Sequence, residues 1–448
     1  MTILRPALTT CRTLLAATLI SMPSGAQTTN PTLTTLYSFS GGNDGLNPLA
    51  GVVIGKGGVL YGTTYAGGNG GGGACSAACG TVFSLSPPAS RGGSWTETVL
   101  YAFTYHPSDG ALPVAGVVIG NGGVIYGTTY AGGRSGFGTV FSLSPPASPG
   151  GSWTETVLHD FNVRNGSTPS GGVVIGRGGV LYGTTFYGGK LGSKSGTVFS
   201  LTPPTTPGGP WTETVLHSFG SGSDGSNPAG SLVIGENGVL FGTTVYGGTS
   251  NLGTVFSLTP PAGGPGPSAW HETVLYNFTG GSDGSCPYAS MIIGKGGTLH
   301  STTEFGGSGP CSISGLPSGC GTVFSLTPHG GEVWTEAVLH SFRGPPDGLY
   351  PRSRLVMGDE GVIYGTAGGG ISSEGLVFSL TPPANGLGGA WTEIVLHRFT
   401  GGIGGGGPKG GVTIGENGVL YGTTQTGGTG TCPYSGCGTV FSLLNRRR

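Results

Sequence analysis

The residues of this chain with side chains suited to chemistry come in evenly spaced sets, and the even spacing argues against most of the chemistry. Asp44, Asp109, Asp224, Asp283 and Asp347 each precede a glycine, with Asn165-Gly166 in a corresponding place. One reading is a ring of calcium or sugar ligands. Calcium takes about six to eight oxygens, however, and no dense Asp-x-Asp-x-Asp loop supplies them. A lone Asp before Gly is the mark of an Asx-type turn. Glu97, Glu155, Glu213, Glu336 and Glu393, with Glu272 after His271, recur in a Trp-Thr-Glu phrase. His159, His217, His340 and His397 alternate with Tyr37, Tyr101 and Tyr276 at one repeat position. A residue repeated many times cannot mark one active centre. The glutamates therefore read as charges that guard a strand edge, and the rings as packing groups with a polar tip.

The pattern breaks most at His300-Ser301, where Tyr-Gly stands elsewhere, with Glu304 close behind. His, Ser and Glu together evoke a hydrolytic trio. Strand neighbours point to opposite faces, though, and drift in one copy explains the change. There is no zinc-type His/Cys spacing, phosphate loop or nucleophile elbow. No catalytic residue, metal site or cofactor is expected.

What must position these residues is one phrase said seven times: Tyr61-Gly-Thr-Thr, Tyr126-Gly-Thr-Thr, Tyr182-Gly-Thr-Thr, Phe241-Gly-Thr-Thr, His300-Ser-Thr-Thr, Tyr364-Gly-Thr-Ala and Tyr421-Gly-Thr-Thr. A Gly-Gly loop and a Gly-Thr-Val-Phe-Ser-Leu string follow, as at Gly80 to Leu85. Trp95, Trp153, Trp211, Trp270, Trp334 and Trp391 mark a unit near 58 residues, the first spacing being 58. Each unit divides into four strands: Gly-Val-Val-Ile-Gly, Val-Leu-Tyr-Gly-Thr-Thr, Gly-Thr-Val-Phe-Ser-Leu and Trp-Thr-Glu-Thr-Val-Leu-His-Ser-Phe. β-branched and aromatic residues dominate all four, and Asn-Gly at 237 to 238 and 417 to 418 signals tight hairpins. Seven such units predict an all-β, seven-bladed β-propeller of four-stranded antiparallel blades. A solenoid is the other repeat architecture to weigh, but its coils are usually much shorter. The fourth-strand phrase at residues 34–39 has no partner strands before it, and the last copy stops after its third strand at Leu443. Residues 34–39 are therefore expected to close the ring in the last blade.

Composition narrows the function. With 8 % charged residues and a net charge of −1, the chain has no basic stripe for nucleic acid. The 98 glycines lack the period of collagen. Arg5 and Arg12 precede an apolar stretch from Leu14 to Met22, then Ser24-Gly25-Ala26, the pattern of a secretory signal peptide over residues 1–26. That stretch is too short to span a bilayer, and no second one follows. The expected organisation is a signal peptide (1–26), the propeller (34–443) and a short basic tail (444–448), with a secreted, periplasmic or cell-surface location. Cys75 and Cys79, Cys311 and Cys320, and Cys432 and Cys437 fall in three long loops between second and third strands. Export permits disulfides, so each pair is a candidate bridge, with Cys286 left over.

The string Asp224-Gly225, Pro228, Gly238-Val-Leu-Phe-Gly-Thr-Thr, Gly247-Gly248, Gly253-Thr-Val-Phe resembles the GloVer tandem repeat of bacterial exported, choice-of-anchor type proteins, over residues 34 to 443. The resemblance implies a surface or extracellular place and no established enzymatic activity. The strand order also looks like a kelch-type blade, with a different glycine signature.

Antiparallel connection puts the fourth-to-first and second-to-third loops on one face. Variable loops on a repeated scaffold are where binding is expected. Tyr65, Tyr130, Tyr187, Tyr246 and Phe305, beside the Gly-Gly turns, are the candidate binding residues, suited to stacking on sugar rings, packing on a protein partner, or covering blade junctions. The sequence therefore reads as an exported binding or scaffold module for glycans or envelope proteins. Two alternatives stand beside it. One is a glycan lyase or hydrolase at the channel, drawing on the irregular residues Arg352, Arg354, Lys409, His300 and Glu304. The other is a structural adhesion or coat component.

Overall fold

The computed structural model describes residues 31–68, 79–90, 92–148, 150–190, 194–206, 208–220, 222–262, 270–315, 317–369, 374–384, 389–432 and 435–444. The expected signal peptide (1–26), Cys75 and residues 445–448 of the expected tail lie outside them. Each copy of the phrase forms one antiparallel sheet. In the first blade Val53–Ile54, Leu60–Thr64, Thr81–Ser86 and Thr96–Ala102 pair in chain order. Blades two to six repeat that order, and in the seventh Thr413–Ile414, Val419–Thr424 and Thr439–Leu444 are joined by Thr32–Ser38. Thr32–Ser38 pairs antiparallel with Thr439–Leu444, Thr34 facing Ser442 and Ser38 facing Thr439. The ring is therefore a seven-bladed propeller closed by its own first strand, as the sequence predicts.

The innermost strand is short, two paired residues such as Val53–Ile54. It ends in a three-residue 3-10 turn, where the sequence predicts a tight hairpin. The middle residue of that turn is left-handed, Asn237 at φ 55° and Asn417 at φ 55°, which is why Asn or Gly recurs there.

The core lies between neighbouring sheets and is mostly aromatic. Phe39, Phe103, Phe161, Phe219, Phe278 and Phe342 are at most 1 % exposed. Each stands edge-on to a third-strand Phe, as Phe103 does to Phe141 at 5.1 Å and Phe161 to Phe199 at 5.0 Å. Burying one such ring contributes about 2–3 kcal/mol. The Tyr or His two residues earlier packs on the same Phe, His217 on Phe219 at 4.7 Å, so the repeated histidines are packing groups. The tryptophans sew blade to blade: Trp153 meets Tyr61 of the preceding blade at 6.4 Å, and Trp95 meets Tyr421 across the closure at 6.1 Å. His300 occupies this same tyrosine slot, 6.4 Å from Trp391, and is 6 % exposed.

The two threonines of Gly-Thr-Thr have separate tasks. The first donates to the loop that enters the next blade's innermost strand, Thr63 Oγ1 to the Ala115 carbonyl at 2.9 Å and Thr128 Oγ1 to the Gly171 carbonyl at 3.0 Å. Thr423 Oγ1 donates to the Ala50 carbonyl at 2.8 Å across the closure. The second pairs with the Thr that opens the third strand, Thr244 with Thr254 at 2.8 Å. In the sixth blade Ala367 and Leu376 face each other in that register, both 1 % exposed. An apolar pair there replaces a polar one, and neither member is stranded.

Candidate binding site at the mouth of the channel

The channel wall is built of small residues because seven backbones converge there. Gly51, Gly116, Gly172, Ser231, Ser290, Arg354 and Gly411 hold one repeat position. A Cβ on Gly51 would lie 2.5 Å from the Gly411 carbonyl oxygen. Ser231 Oγ accepts from the Gly172 N–H at 2.8 Å, and Ser290 Oγ accepts from the Ser231 N–H at 2.8 Å. Arg354 is the one long side chain at this position. It reaches solvent, yet protein crowds it closely enough that burial holds its pKa below the ordinary guanidinium range.

Three residues before each wall position comes a proline, and the residue before that proline is left-handed throughout: Asn47, Leu112, Thr168, Asn227, Cys286 and Tyr350 have φ between 50° and 60°, and Gly407 has φ 60°. That conformation is costly for Leu, Thr and Tyr, and backbone bonds to the preceding blade and within the same blade hold it. The Leu112 N–H donates to the Cys79 carbonyl at 2.7 Å, and its carbonyl accepts from the Tyr130 N–H at 3.1 Å. The proline then lies on the glycine of Gly-Thr-Val-Phe. A Cβ on Gly253, at φ 100°, would stand 2.6 Å from Pro287 Cδ and 2.5 Å from the Thr244 carbonyl oxygen. These contacts fix the loop that enters each innermost strand and so aim the residue after the proline.

The residues thus aimed differ by blade: Leu49, Val114, Ser170 and Ala229, then Tyr288, Arg352 and Lys409. The residue after Thr-Thr differs too: Tyr65, Tyr130, Phe186, Val245 and Glu304, then Gly368 and Gln425. One side of the mouth is aromatic. Tyr130 is 37 % exposed, and its phenol is raised by burial and by the nearby Tyr187 and Tyr65. Tyr187, 40 % exposed, meets Phe186 edge-on at 4.7 Å, and Tyr246 is 39 % exposed.

The other side is charged. Glu304 and Arg352 form an ion pair, the Glu304 side chain 3 % exposed and the Arg352 side chain 49 %. The Arg352 guanidinium lies 5.0 Å over the Tyr288 ring, a cation–π contact. Burial raises the Glu304 carboxyl, against the pull of Arg352 and Lys409. Burial, then the Arg352 charge, lowers the Lys409 ammonium. Cys286 is a free, buried thiol pushed up to about 11 by burial and by Glu304.

The structure brings some of the candidate residues together and separates others. Tyr65 and Tyr130 occupy the first position after Thr-Thr, whereas Tyr187, Tyr246 and Phe305 occupy the second, bridged at Ser167, Ser226 and Ser285. Despite that offset, Tyr65 and Tyr187 both lie near enough to Tyr130 to raise its phenol, and Tyr246 lies beside Tyr288, so these four share one side while Phe305 does not join them. Phe305 is 5 % exposed and packs on Tyr350 at 5.2 Å. Glu304, Arg352 and Lys409 do converge, while His300 lies at a blade interface. Cys311 and Cys320 form a disulfide, as do Cys432 and Cys437, and Cys79 is also disulfide-bonded. Those bonds fit a compartment outside the reducing cytoplasm. Among the described residues no helix is long and apolar enough to cross a membrane, and no cluster of three His, Cys, Asp or Glu could hold a metal.

The repeated aspartates bond within their own loops. Asp44 accepts from the Ser40 N–H at 2.7 Å and the Tyr37 hydroxyl at 2.9 Å, and Asp283 accepts from the Thr279 N–H at 2.8 Å. The outer-strand glutamates correct the edge-guard reading. On Thr96–Ala102 the threonines face solvent and Glu97 turns inward. Burial, then the neighbouring Asp44, lifts Glu97 to about 7. Burial, then Asp109 and Asp160, lifts Glu155 to about 8. Tyr288 is the mouth residue that a reading of Gly-Thr-Thr alone misses; its signal is the varied residue after each repeated proline.

No curated protein sequence matches the chain. Among solved structures it is similar to the PQQ-bound aldose sugar dehydrogenase of Streptomyces coelicolor, with 13% identity, 92% of this chain and 98% of that one covered, and a TM-score of 0.44. It is also similar to a glucose dehydrogenase-type oxidoreductase of Thermus thermophilus, with 17% identity, 92% and 100% covered, and a TM-score of 0.40. PorZ, a surface component of the type-IX secretion system of Porphyromonas gingivalis, is similar at 13% identity, with 82% and 41% covered and a TM-score of 0.37. Nothing about chemistry follows from likenesses this distant. The kelch-type likeness likewise goes no further than a four-stranded blade. The repeated phrase is more specific, because its Gly, Thr, Pro and Phe are the residues that join blade to blade. The Gloeobacter/Verrucomicrobia repeat matches residues 75–314 and 273–447, and the chain belongs to that family.

Proposed function

We propose that this protein is an exported binding module that presents the mouth of its channel to a glycan. The observation that carries the reading is the set Tyr130, Tyr187 and Tyr246, each more than a third exposed, where every other described Phe, Tyr and Trp is buried or half-buried. Exposed aromatic faces fixed on a rigid frame lose little entropy when they stack on the apolar face of a sugar ring. The left-handed loops support the reading, since strain of that kind gathers where a surface must be preorganised. Export rests on the basic and apolar start of the chain, read as a signal peptide removed after residue 26, and on the disulfides. The propeller over 34–443 is then the working part, with a short tail at 444–448.

The test is a glycan-binding screen on residues 27–448, repeated with Tyr130→Ala/Tyr187→Ala, every bound glycan being checked for cleavage. Selective binding lost in the double variant supports the reading. Binding untouched by the substitutions, or no binding, removes it in favour of an envelope-protein partner or a coat role. Cleavage would move the assignment to an enzyme. Glycoside hydrolysis ordinarily uses two carboxyl groups, and Glu304 is the one carboxylate at the two repeat positions that line the mouth, already paired with Arg352.

A further inference from the structure

We infer that the saccharide taken up at the mouth is acid-bearing, a sugar with a carboxylate or sulfate group that Arg352 and Lys409 receive while the tyrosine side holds the ring. The inference rests on the glycan reading above and narrows it.

The residue after the repeated proline is apolar or small in the first four blades, as Leu49, Val114, Ser170 and Ala229. In the last three, which are adjacent, it is Tyr288, Arg352 and Lys409. Drift would scatter such changes, whereas here they sit side by side. Arg352 is also held in a way that surface arginines are not. Its anchor, the Glu304 carboxylate, is 3 % exposed, and its guanidinium rests 5.0 Å over Tyr288. Glu304 engages one nitrogen, Nη2. A guanidinium carries five donors in a planar fork, and with its side chain 49 % exposed the fork retains donors open to solvent. Charge-assisted bonds of that kind are the strong ones.

The local charge agrees. Glu304 offsets Arg352 and leaves Lys409 unbalanced, on a chain whose total is −1 and whose charged residues are 8 %. The surplus is therefore a property of the mouth. An aromatic side facing a cationic side fits a ring with an apolar face and a peripheral anion. A neutral sugar would leave Lys409 without a carboxylate of its own.

The experiment uses residues 27–448 and three oligosaccharides of one backbone: a galacturonate oligomer, the same oligomer with its carboxyls reduced to alcohols, and a sulfated galactose oligomer. The wild type is expected to bind at least one acidic oligomer about tenfold or more tighter than the reduced one, the value of one charge-assisted hydrogen bond. That preference should shrink as salt is raised. Lys409→Gln and the charge-neutral pair Glu304→Gln/Arg352→Gln are each expected to lose the preference while keeping the wild-type melting point. The double form avoids stranding a buried carboxylate. Equal affinity for acidic and neutral oligomers, or a preference that survives both variants, overturns the inference and leaves the glycan reading standing. Failure of all three oligomers, with other glycans also unbound, overturns both. The ranking of uronate against sulfate identifies the acid group.

Discussion

The blade interfaces and the channel mouth are made from the same repeated phrase, yet they treat repetition in opposite ways. At the interfaces nearly every copy keeps its residue. The first Thr reaches the next blade, the second Thr finds its partner, and Phe stacks on Phe around the ring. One departure is a matched pair, Ala367 with Leu376, and another, His300 for Tyr, still sets a ring against its Trp. At the mouth the backbone is just as regular, down to the left-handed residue before each proline, while the side chains it carries run from aromatic to acidic to basic. Positions that must fit two neighbours vary little; positions that face open space vary freely. The contrast is what puts the proposed binding surface at the mouth, without reference to any relative.

Four measurements would break or sharpen this comparison. The largest effect is expected from Gly253→Ala. Its Cβ would meet backbone and Pro287 at 2.5 to 2.6 Å, in a conformation unfavourable to L-residues. A loss of about 3 kcal/mol or more in chemical denaturation follows, and a loss below about 1 kcal/mol would show that the interface is looser than its repetition implies.

Next is the threonine pair. Thr254→Leu alone sets a larger apolar side chain against the Thr244 hydroxyl, which keeps its bonds to the Tyr246 carbonyl and the residue-254 N–H, and should cost about 2 kcal/mol. Adding Thr244→Ala recreates the sixth-blade arrangement and should recover at least about 1 kcal/mol of it. Simple additivity of the two losses would contradict the matched-pair reading.

The third effect depends on pH. Folded Glu155 keeps its proton up to about 8, well above the ordinary carboxyl range of the unfolded chain. Its contribution to stability is therefore complete below that ordinary range and is lost as pH rises through about 8. Burial lowers His159, His217, His300 and His397, which weakens the fold in the opposite direction, on acidification. Scans between pH 6.5 and 8.5 keep the two apart. The melting point should fall across that interval in the wild type and fall less in Glu155→Gln; equal slopes would return the glutamates to the solvent.

The smallest effect on stability belongs to the mouth. Tyr130→Ala or Tyr187→Ala should change stability by about 0.5 kcal/mol or less, while each weakens glycan binding several-fold, about 0.5–1.5 kcal/mol per ring. A large loss of stability would place these rings in the body of the molecule.

Much of this was legible in the sequence. The period fixed the blades, and the outer-strand phrase at 34–39 announced its missing partner. Two features were not. Strand alternation says that Glu97 and Thr96 face opposite ways, but not which way is out, because the outer strand still packs against a neighbouring blade. The five aromatics were grouped by their nearness to Gly-Gly, although Phe305 packs on Tyr350 and does not join the other four. The Glu304–Arg352 pair joins residues 48 apart in adjoining blades, a distance over which no local pattern speaks.

Ring closure has a consequence for how the molecule comes into being. Ser38 is made among the first residues of the body, and its partner Thr439 among the last. At about 5–20 residues per second, roughly 20–80 s of synthesis separate the two. For that interval the leading strand has no mate, and the seventh blade cannot exist. A chain threaded outward through a narrow pore would thus stay an open arc, its two raw edges showing, until residues 439–444 have come through.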